Sequence, residues 1–130
     1  MRVLLVDDHP VIHQVLSAVT RNLFAGALID VASDLEQAID RAGEGDAPDL
    51  VLLDLGLPGC AGIEALTAFR KAHPDQRVVV VSANEDRGSV MDALLAGAVG
   101  YVPKTHAPPL MAAALRLVVQ GGTYVPPVGR

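Results

Sequence analysis

The stretch VLLVDDHP, residues 3–10, sets two adjacent carboxylates at the end of a run of branched apolar residues. The run is continuously apolar, not alternating, which is typical of a strand covered on both faces of a parallel sheet. Asp7 and Asp8 repel each other where water is scarce, and paired charges in such a place cost stability unless something binds them. The stretch therefore predicts a buried strand that ends in a binding site.

Four further runs extend this pattern along the chain. Residues 50–53 and 78–81 predict strands buried on both faces, and residues 27–32 predict a weaker one. The last run, VGYVP at residues 99–103, contains a proline, which a sheet normally confines to an edge strand or a strand end. We therefore expect the fifth strand at an edge of the sheet.

Between these runs, apolar residues recur at the three- and four-residue intervals of an amphipathic helix. The predicted order is therefore a strand followed by a helix, repeated five times. The first helix is predicted to start at Pro10, and the second starts at a capping box of Ser33 and Glu36 and runs to about Gly43. The third is predicted to end at the His73-Pro74 step and the fourth near Gly97. The fifth covers residues 110–119 and ends at Gly121-Gly122. This alternation predicts an α/β fold with a doubly wound parallel sheet between two layers of helices.

Length, charge and cysteine content narrow the class of protein. At 130 residues and 51% apolar content the chain predicts one domain with a real core. We place the end of this domain at residue 122 and expect residues 123–130 to be a tail or the start of a linker. The net charge of −5 argues against nucleic-acid binding by this chain alone. Cys60 is the only cysteine, and neither a signal peptide nor a membrane span is visible, so we expect a soluble cytoplasmic protein without a membrane partner.

Polar side chains follow the apolar runs, and in doubly wound sheets ligands bind at the carboxyl ends of the strands. The residues expected to converge there are Asp7, Asp8, Asp54, Ser82 and Lys104. Clustered carboxylates recruit a hard divalent cation, for which Mg²⁺ fits best and Mn²⁺ is the alternative. Lys104 suits an anion such as phosphate, and Ser82 offers a hydroxyl to a phosphate oxygen. Alone, each would be a turn, cap or surface residue, but together they predict a functional site.

Other reactive side chains carry weaker signals. His9 and His13 lie four residues apart but lack the carboxylate of a zinc-protease pattern, so we expect them to face solvent. Cys60 has neither a cysteine partner nor an evident base, which argues against a catalytic thiol. His73 and His106 are expected in loops.

In combination, these motifs resemble the CheY-like receiver domain of two-component response regulators over nearly the whole chain. The motifs that carry the resemblance are the acidic pair in LLVDDHP, the segment LLDLGLPGCAG, the step Ser82-Ala83, the aromatic Tyr101 and the lysine Lys104. The resemblance implies a flavodoxin-like (βα)5 fold with strand order 2-1-3-4-5. One departure is that Pro103 precedes Lys104, whereas many receivers have a proline after the lysine.

The resemblance also implies a phosphoacceptor function. Asp54 would accept a phosphoryl group from a histidine kinase, a phosphotransfer protein or a small phosphodonor, with only weak self-phosphorylation and self-dephosphorylation activity of its own. Asp8 and Asp54 would hold Mg²⁺ directly together with the backbone carbonyl of Gly56, while Asp7 would act mainly through water.

Three further residues would read out that phosphoryl group. Lys104 would pair with it, and Ser82 with Tyr101 would form a switch that changes the face of helix 4, strand 5 and helix 5. The segment GYVPKTHAPPLMAAALRLVVQGGTYVPP further resembles receivers of LuxR-type (NarL/FixJ) regulators, which precede a helix-turn-helix domain. No such domain is in the sequence, so we favour an excised receiver that controls transcription over a protein that works alone. The chain is also expected to form a homodimer when it is phosphorylated.

Two alternatives from other classes stay open. A metal-dependent aspartyl phosphatase of the haloacid-dehalogenase type would carry Asp-x-Asp after the first strand, whereas here the carboxylates are adjacent and Asp54 follows the third strand. A receiver-like module that only binds partners would not need the intact set of acidic residues, serine and lysine.

Overall fold

The computed structural model describes residues 1–60 and 62–127, in which strands and helices alternate. The strands are β1 (Arg2–Val6), β2 (Leu28–Ala32), β3 (Leu50–Asp54), β4 (Val78–Ser82) and β5 (Gly100–Pro103). The helices are α1 (Pro10–Leu23), α2 (Leu35–Ala42), α3 (Ile63–Ala72), α4 (Arg87–Leu95) and α5 (Pro108–Val119). Every predicted strand and helix is confirmed, with small differences at the ends. Within the described ranges, none of the helices combines the length and apolar character that crossing a bilayer requires.

The strands form one parallel sheet in the order β2-β1-β3-β4-β5. The predicted doubly wound, flavodoxin-like fold and its strand order are therefore confirmed. β1 has β2 on one side and β3 on the other, so the chain reverses its direction of travel across the sheet at this pair. This reversal opens a crevice beside the carboxyl ends of β1 and β3, which is where ligands bind in such sheets.

Two apolar layers cover the faces of the sheet. Alternate residues of β1 point to opposite faces of the sheet. Leu4 and Val6 pack in the layer of α2, α3 and α4, whereas Val3 and Leu5 pack in the layer of α1 and α5. β3 and β4 are buried along their whole length, which explains their continuous apolar runs. Since both faces of the sheet are covered, polar groups of the central strands are accommodated at the strand ends.

β5 is an edge strand in this order, as predicted, and a short piece of the C-terminal tail pairs with it. The Tyr124 N–H donates to the Val99 carbonyl, and the Tyr101 N–H donates to the Tyr124 carbonyl, both at 3.1 Å. The Tyr124 hydroxyl lies 2.9 Å from Nε2 of His106. The tail is thus held against the sheet at Tyr124, while the domain boundary at residue 122 stays a prediction.

The start of α2 differs from the predicted capping box. Asp34 is the N-cap residue, and its carboxylate accepts the Gln37 N–H at 2.8 Å. Gln37 Oε1 in turn accepts the Ser33 N–H, so Asp34 and Gln37 take the roles predicted for Ser33 and Glu36. The prediction was wrong by one residue because Asp caps a helix as well as Ser does, and both pairs have the required spacing.

Candidate functional site

The predicted site residues lie at the carboxyl ends of neighbouring strands. Asp54 and Ser82 are the last residues of β3 and β4, while Asp7 and Lys104 directly follow β1 and β5. Asp8, the next residue after Asp7, belongs to the same group of side chains. The parallel sheet therefore brings all of them to one edge, as the sequence predicted.

The carboxylates of Asp7, Asp8 and Asp54 form a compact cluster. One oxygen from each lies within 4.8 Å of the others and of a ring nitrogen of His9. Asp7 and Asp54 are almost completely buried, whereas Asp8 is exposed. The Gly56 N–H donates to Asp54 Oδ1 at 2.9 Å. The second oxygens, Asp7 Oδ2 and Asp54 Oδ2, are buried and have no hydrogen bond of good geometry within the described residues. The cluster therefore concentrates negative charge that only cations can compensate.

Lys104 places its ammonium group between the two buried carboxylates. Its Nζ lies 3.0 Å from Asp7 Oδ2 and 3.1 Å from Asp54 Oδ2, and its side chain is only 13% exposed. Burial lowers the pKa of Lys104, but the close contact with Asp7 and the charge of Asp54 outweigh it, so the pKa is raised above its usual value. Lys104 is therefore a positive charge that persists across the neutral pH range.

His9 is exposed, as expected, and one edge of its ring also contacts the cluster. Its Nδ1 lies 2.7 Å from Asp7 Oδ1 and 3.1 Å from Asp8 Oδ1. The His9 N–H donates to the same Asp7 oxygen at 2.7 Å, and this turn folds the ring back over the carboxylates. His13 is instead turned inward, because its Nε2 contacts the backbone carbonyl of Asp7.

Ser82 and Tyr101, the predicted switch residues, meet at the backbone of Asn84. The Asn84 N–H donates to Ser82 Oγ at 3.1 Å, and the Tyr101 hydroxyl donates to the Asn84 carbonyl at 2.6 Å. Tyr101 is fully buried, and this burial raises its pKa. The sequence did not single out Asn84, because its contribution comes from backbone atoms that every residue type provides.

A cavity of about 400 Å³ opens beside the cluster. Asp54, Lys104 and Ser82 line it together with residues of the loops that follow β3 and β4. The loop after β3 closes at Gly62, whose N–H donates to the Leu55 carbonyl at 2.6 Å and whose φ of 69° favours glycine. A carboxylate, an ammonium group and a hydroxyl therefore face a space in which a small anionic group fits.

Residues 3–116 match the response regulator receiver domain family. The chain belongs to this family. The matched range includes every site residue described above and extends into α5. The class of protein that the motifs predicted is therefore confirmed.

Known regulators share this receiver sequence and fold. The glycerol metabolism activator of Pseudomonas putida is 35% identical over 126 residues, which are 97% of this chain and 57% of that protein. The nitrate/nitrite response regulator protein NarL of Escherichia coli (strain K12) is 35% identical over 119 residues, 92% of this chain and 55% of that protein. A two-component response regulator of the LuxR family from Aurantimonas sp. SI85-9A1 has a solved structure that superimposes with a TM-score of 0.87 at 30% identity, covering 97% of this chain and 89% of that one. The chain thus spans a little more than half the length of these two curated relatives.

The receiver fold brings together all the residues that the sequence predicted for the site. Gly56 lies beside Asp54 and binds it through its N–H, whereas its carbonyl was the group predicted to hold a metal. The individual roles of these residues in phosphoryl transfer, metal binding and switching stay predictions.

Proposed function

We propose that this receiver is a phosphorylation-activated switch in which Asp54 accepts the phosphoryl group. The observation that supports this most is the setting of the Asp54 side chain. It is buried, it lines the cavity, its Oδ1 is anchored by the Gly56 N–H, and its Oδ2 lies against Lys104. The donor is a histidine kinase or phosphotransfer protein, or a small phosphodonor.

The proposed transfer forms one bond and breaks one. A carboxylate oxygen of Asp54 bonds to phosphorus while the phosphorus–nitrogen bond of the donor phosphohistidine breaks. The donor imidazole, protonated on its other nitrogen, leaves as a neutral ring and keeps the electron pair. Lys104 and Ser82 line the cavity in which negative charge spreads over the phosphoryl oxygens, so the chain acts by positioning and electrostatics.

The acidic cluster fits a divalent cation. Its donors are carboxylate oxygens, the ligands that Mg²⁺ prefers. In the part of the chain that the structure describes, the buried second oxygens of Asp7 and Asp54 pair with Lys104 but make no hydrogen bond of good geometry. We propose that Asp8 and Asp54 hold Mg²⁺, or Mn²⁺, directly with the Gly56 carbonyl, and that Asp7 acts mainly through water. When bound, the ion neutralises charge on the phosphoryl oxygens.

Incubation with Mg²⁺ and acetyl phosphate, followed by intact mass measurement, tests the proposed function. We expect one added phosphoryl group per chain, and none when the metal is removed by a chelator. A chain that stays unmodified while the donor is still intact and Mg²⁺ is in excess would contradict the proposal.

Asp8→Asn is expected to raise the melting temperature of the metal-free protein and to abolish the increase that Mg²⁺ gives the parent. Removing one of the clustered charges relieves repulsion, whereas a ligand that binds only the folded state stabilises it. Asp8 is exposed, so the change removes no core packing. Thermal unfolding with and without Mg²⁺ measures both effects. The control is Asp46→Asn, at an exposed position outside the cluster, which should keep the full increase in melting temperature with Mg²⁺. If Asp8→Asn also keeps the full increase, Asp8 is not a ligand.

The hydrogen bonds at Asn84 suggest how the signal leaves the site. A phosphoryl group adds negative charge and strong acceptor oxygens, which give the Ser82 hydroxyl a new partner to donate to. A Ser82 side chain that turns toward the phosphoryl group would weaken its bond with the Asn84 N–H, and the Asn84 carbonyl is the acceptor of the Tyr101 hydroxyl. We propose that this shifts the packing of Tyr101 and with it the face of α4, β5 and α5.

Ser82→Ala should still accept a phosphoryl group, more slowly, but lose most of the structural response. The alanine cannot donate to the phosphoryl group, so the bond between Asn84 and Tyr101 has no reason to change. The measurement compares amide chemical shifts of residues 84–122 with and without beryllofluoride. Ser17→Ala, in the middle of α1, is the control and should respond like the parent. Equal shift changes in Ser82→Ala and the parent would show that the hydroxyl does not couple the site to this face.

The proposed output is transcription, through a DNA-binding domain that is not in this sequence. The curated relatives are regulators of which the matched residues are only 57% and 55%, which supports the proposal. A phosphorylation-dependent homodimer is the proposed form of the active receiver. The alternative, a module that binds partners without phosphorylation, would leave the buried pair of Asp7 and Asp54 without a use.

A further inference from the structure

His9 is the one nitrogen donor among the cluster residues within the described part of the chain. Its Nδ1 lies 2.7 Å from Asp7 Oδ1, 3.1 Å from Asp8 Oδ1 and 3.8 Å from Asp54 Oδ2. An octahedral ion with bonds near 2.1 Å has adjacent ligand atoms about 3 Å apart and opposite ones about 4 Å apart. The distances from Nδ1 to Asp8 and Asp54, the proposed ligands of the ion, lie between these two values, whereas the 2.7 Å to Asp7 is a hydrogen-bond distance. The ring nitrogen therefore lies where a ligand of an ion shared with Asp8 and Asp54 would lie.

The backbone holds the ring of His9 in this place. His9 is the N-cap residue of α1, Pro10 follows it at the first helical position, and the His9 N–H is bound to Asp7. Its side chain makes no capping hydrogen bond to the helix, and Nδ1 is instead hydrogen-bonded to Asp7 Oδ1, a contact that a bound ion would replace. The side chain is 56% exposed, which leaves room for water and an incoming ion on its outer side.

The buried carboxylates supply an independent indication of a ligand. Oδ2 of Asp7 and Oδ2 of Asp54 are enclosed and, among residues 1–60 and 62–127, make ion-pair contacts but no hydrogen bond of good geometry. Asp54 also lines the cavity. Lys104 compensates part of their charge as an ion pair. A cation bound directly by Asp54, and by Asp7 through water, would compensate the charge that Lys104 leaves.

We propose that His9 Nδ1 is a ligand of the ion held by Asp8 and Asp54, and that it shifts the preference of this receiver from Mg²⁺ toward divalent first-row transition metals. The proposal rests on the metal site proposed above. Imidazole nitrogen suits borderline ions such as Co²⁺, Ni²⁺ and Zn²⁺, whereas Mg²⁺ is hard and takes oxygen ligands. An all-oxygen site would discriminate less, so His9 sets the selectivity.

Pulsed electron paramagnetic resonance of bound Mn²⁺ tests the ligand directly, because a coordinated nitrogen couples to the electron spin. We expect nitrogen coupling in the parent, its loss in His9→Gln and its retention in His13→Gln. His13 is the matched control, because its ring contacts the backbone carbonyl of Asp7 and not a carboxylate of the cluster. Bound Mn²⁺ without nitrogen coupling in the parent would overturn the proposal, and so would coupling that survives His9→Gln.

Equilibrium dialysis measures the selectivity. His9→Gln should weaken Co²⁺ binding on the order of tenfold, while Mg²⁺ binding stays close to that of the parent. An equal loss for both ions would overturn the proposed selectivity. If the parent binds none of these ions, the metal site itself fails, but acetyl phosphate labelling still decides whether Asp54 is the acceptor. Failure of the His9 proposal alone would leave Mg²⁺-dependent labelling intact.

Discussion

Asp54→Asn is expected to abolish phosphorylation by acetyl phosphate in the presence of Mg²⁺. The amide oxygen of asparagine can still accept the Gly56 N–H, so the fold and the loop after β3 are kept. An uncharged amide lacks the nucleophilic oxygen that forms the bond to phosphorus. Intact mass should show the added phosphoryl group in the parent and only the unmodified chain in Asp54→Asn.

The control for this result is Asp46→Asn, which removes an exposed carboxylate from the loop before β3. It should be labelled at the rate of the parent. Labelling of Asp54→Asn at that same rate would show that the acceptor is another residue.

Lys104→Met is expected to destabilise the metal-free protein by about 3 kcal/mol, because breaking a buried ion pair leaves an uncompensated buried charge. Here two carboxylates, Asp7 and Asp54, lose the ammonium group that lies 3.0 and 3.1 Å from them. Methionine keeps most of the length of the lysine stem, so the loss is chiefly electrostatic. Urea unfolding in the presence of a chelator gives the free energy of unfolding, and added Mg²⁺ should restore part of it because a bound cation compensates the same charge.

Lys71→Met is the matched control for this loss, since Lys71 is the only other lysine and lies exposed on α3. It should change the free energy of unfolding by no more than about 0.5 kcal/mol. The pKa of Lys104 is raised above 10.5, so its contribution is fully present at neutral pH and is lost only as the pH rises through the folded-state pKa. A Lys104→Met protein as stable as Lys71→Met at neutral pH would contradict the proposed ion pair.

The fold was predictable because a strand covered on both faces leaves a simple mark in the sequence. β3 and β4 are continuously apolar and fully buried, and each ends in a polar residue of the site. Once the strands are known to be parallel, Asp54 and Ser82 must lie at the same edge of the sheet as Asp7. The convergence of the site therefore followed from chain order and strand polarity alone.

Contacts that depend on side-chain direction or on backbone atoms were not predictable in this way. His9 contacts Asp7 because of a turn just before the helix. At this position helical periodicity does not predict which way a side chain points. Asn84 links Ser82 to Tyr101 through its N–H and carbonyl, for which any residue type would serve. Tyr124 pairs with β5 as an isolated bridge, which is too short to give a periodic pattern.

The location of the phosphoryl group on the chain tests the central claim most directly. Hydride reduction converts an aspartyl phosphate into homoserine, and trypsin then releases residues 42–70, which contain Asp46, Asp49, Asp54 and two glutamates as internal comparisons. Tandem mass spectrometry of the protein labelled with acetyl phosphate and Mg²⁺ should find homoserine at position 54 and unmodified residues at the other acidic positions. Homoserine at another position, or a phosphoryl group that resists the reduction because it is not on a carboxylate, would contradict the assignment of Asp54 as the phosphoacceptor.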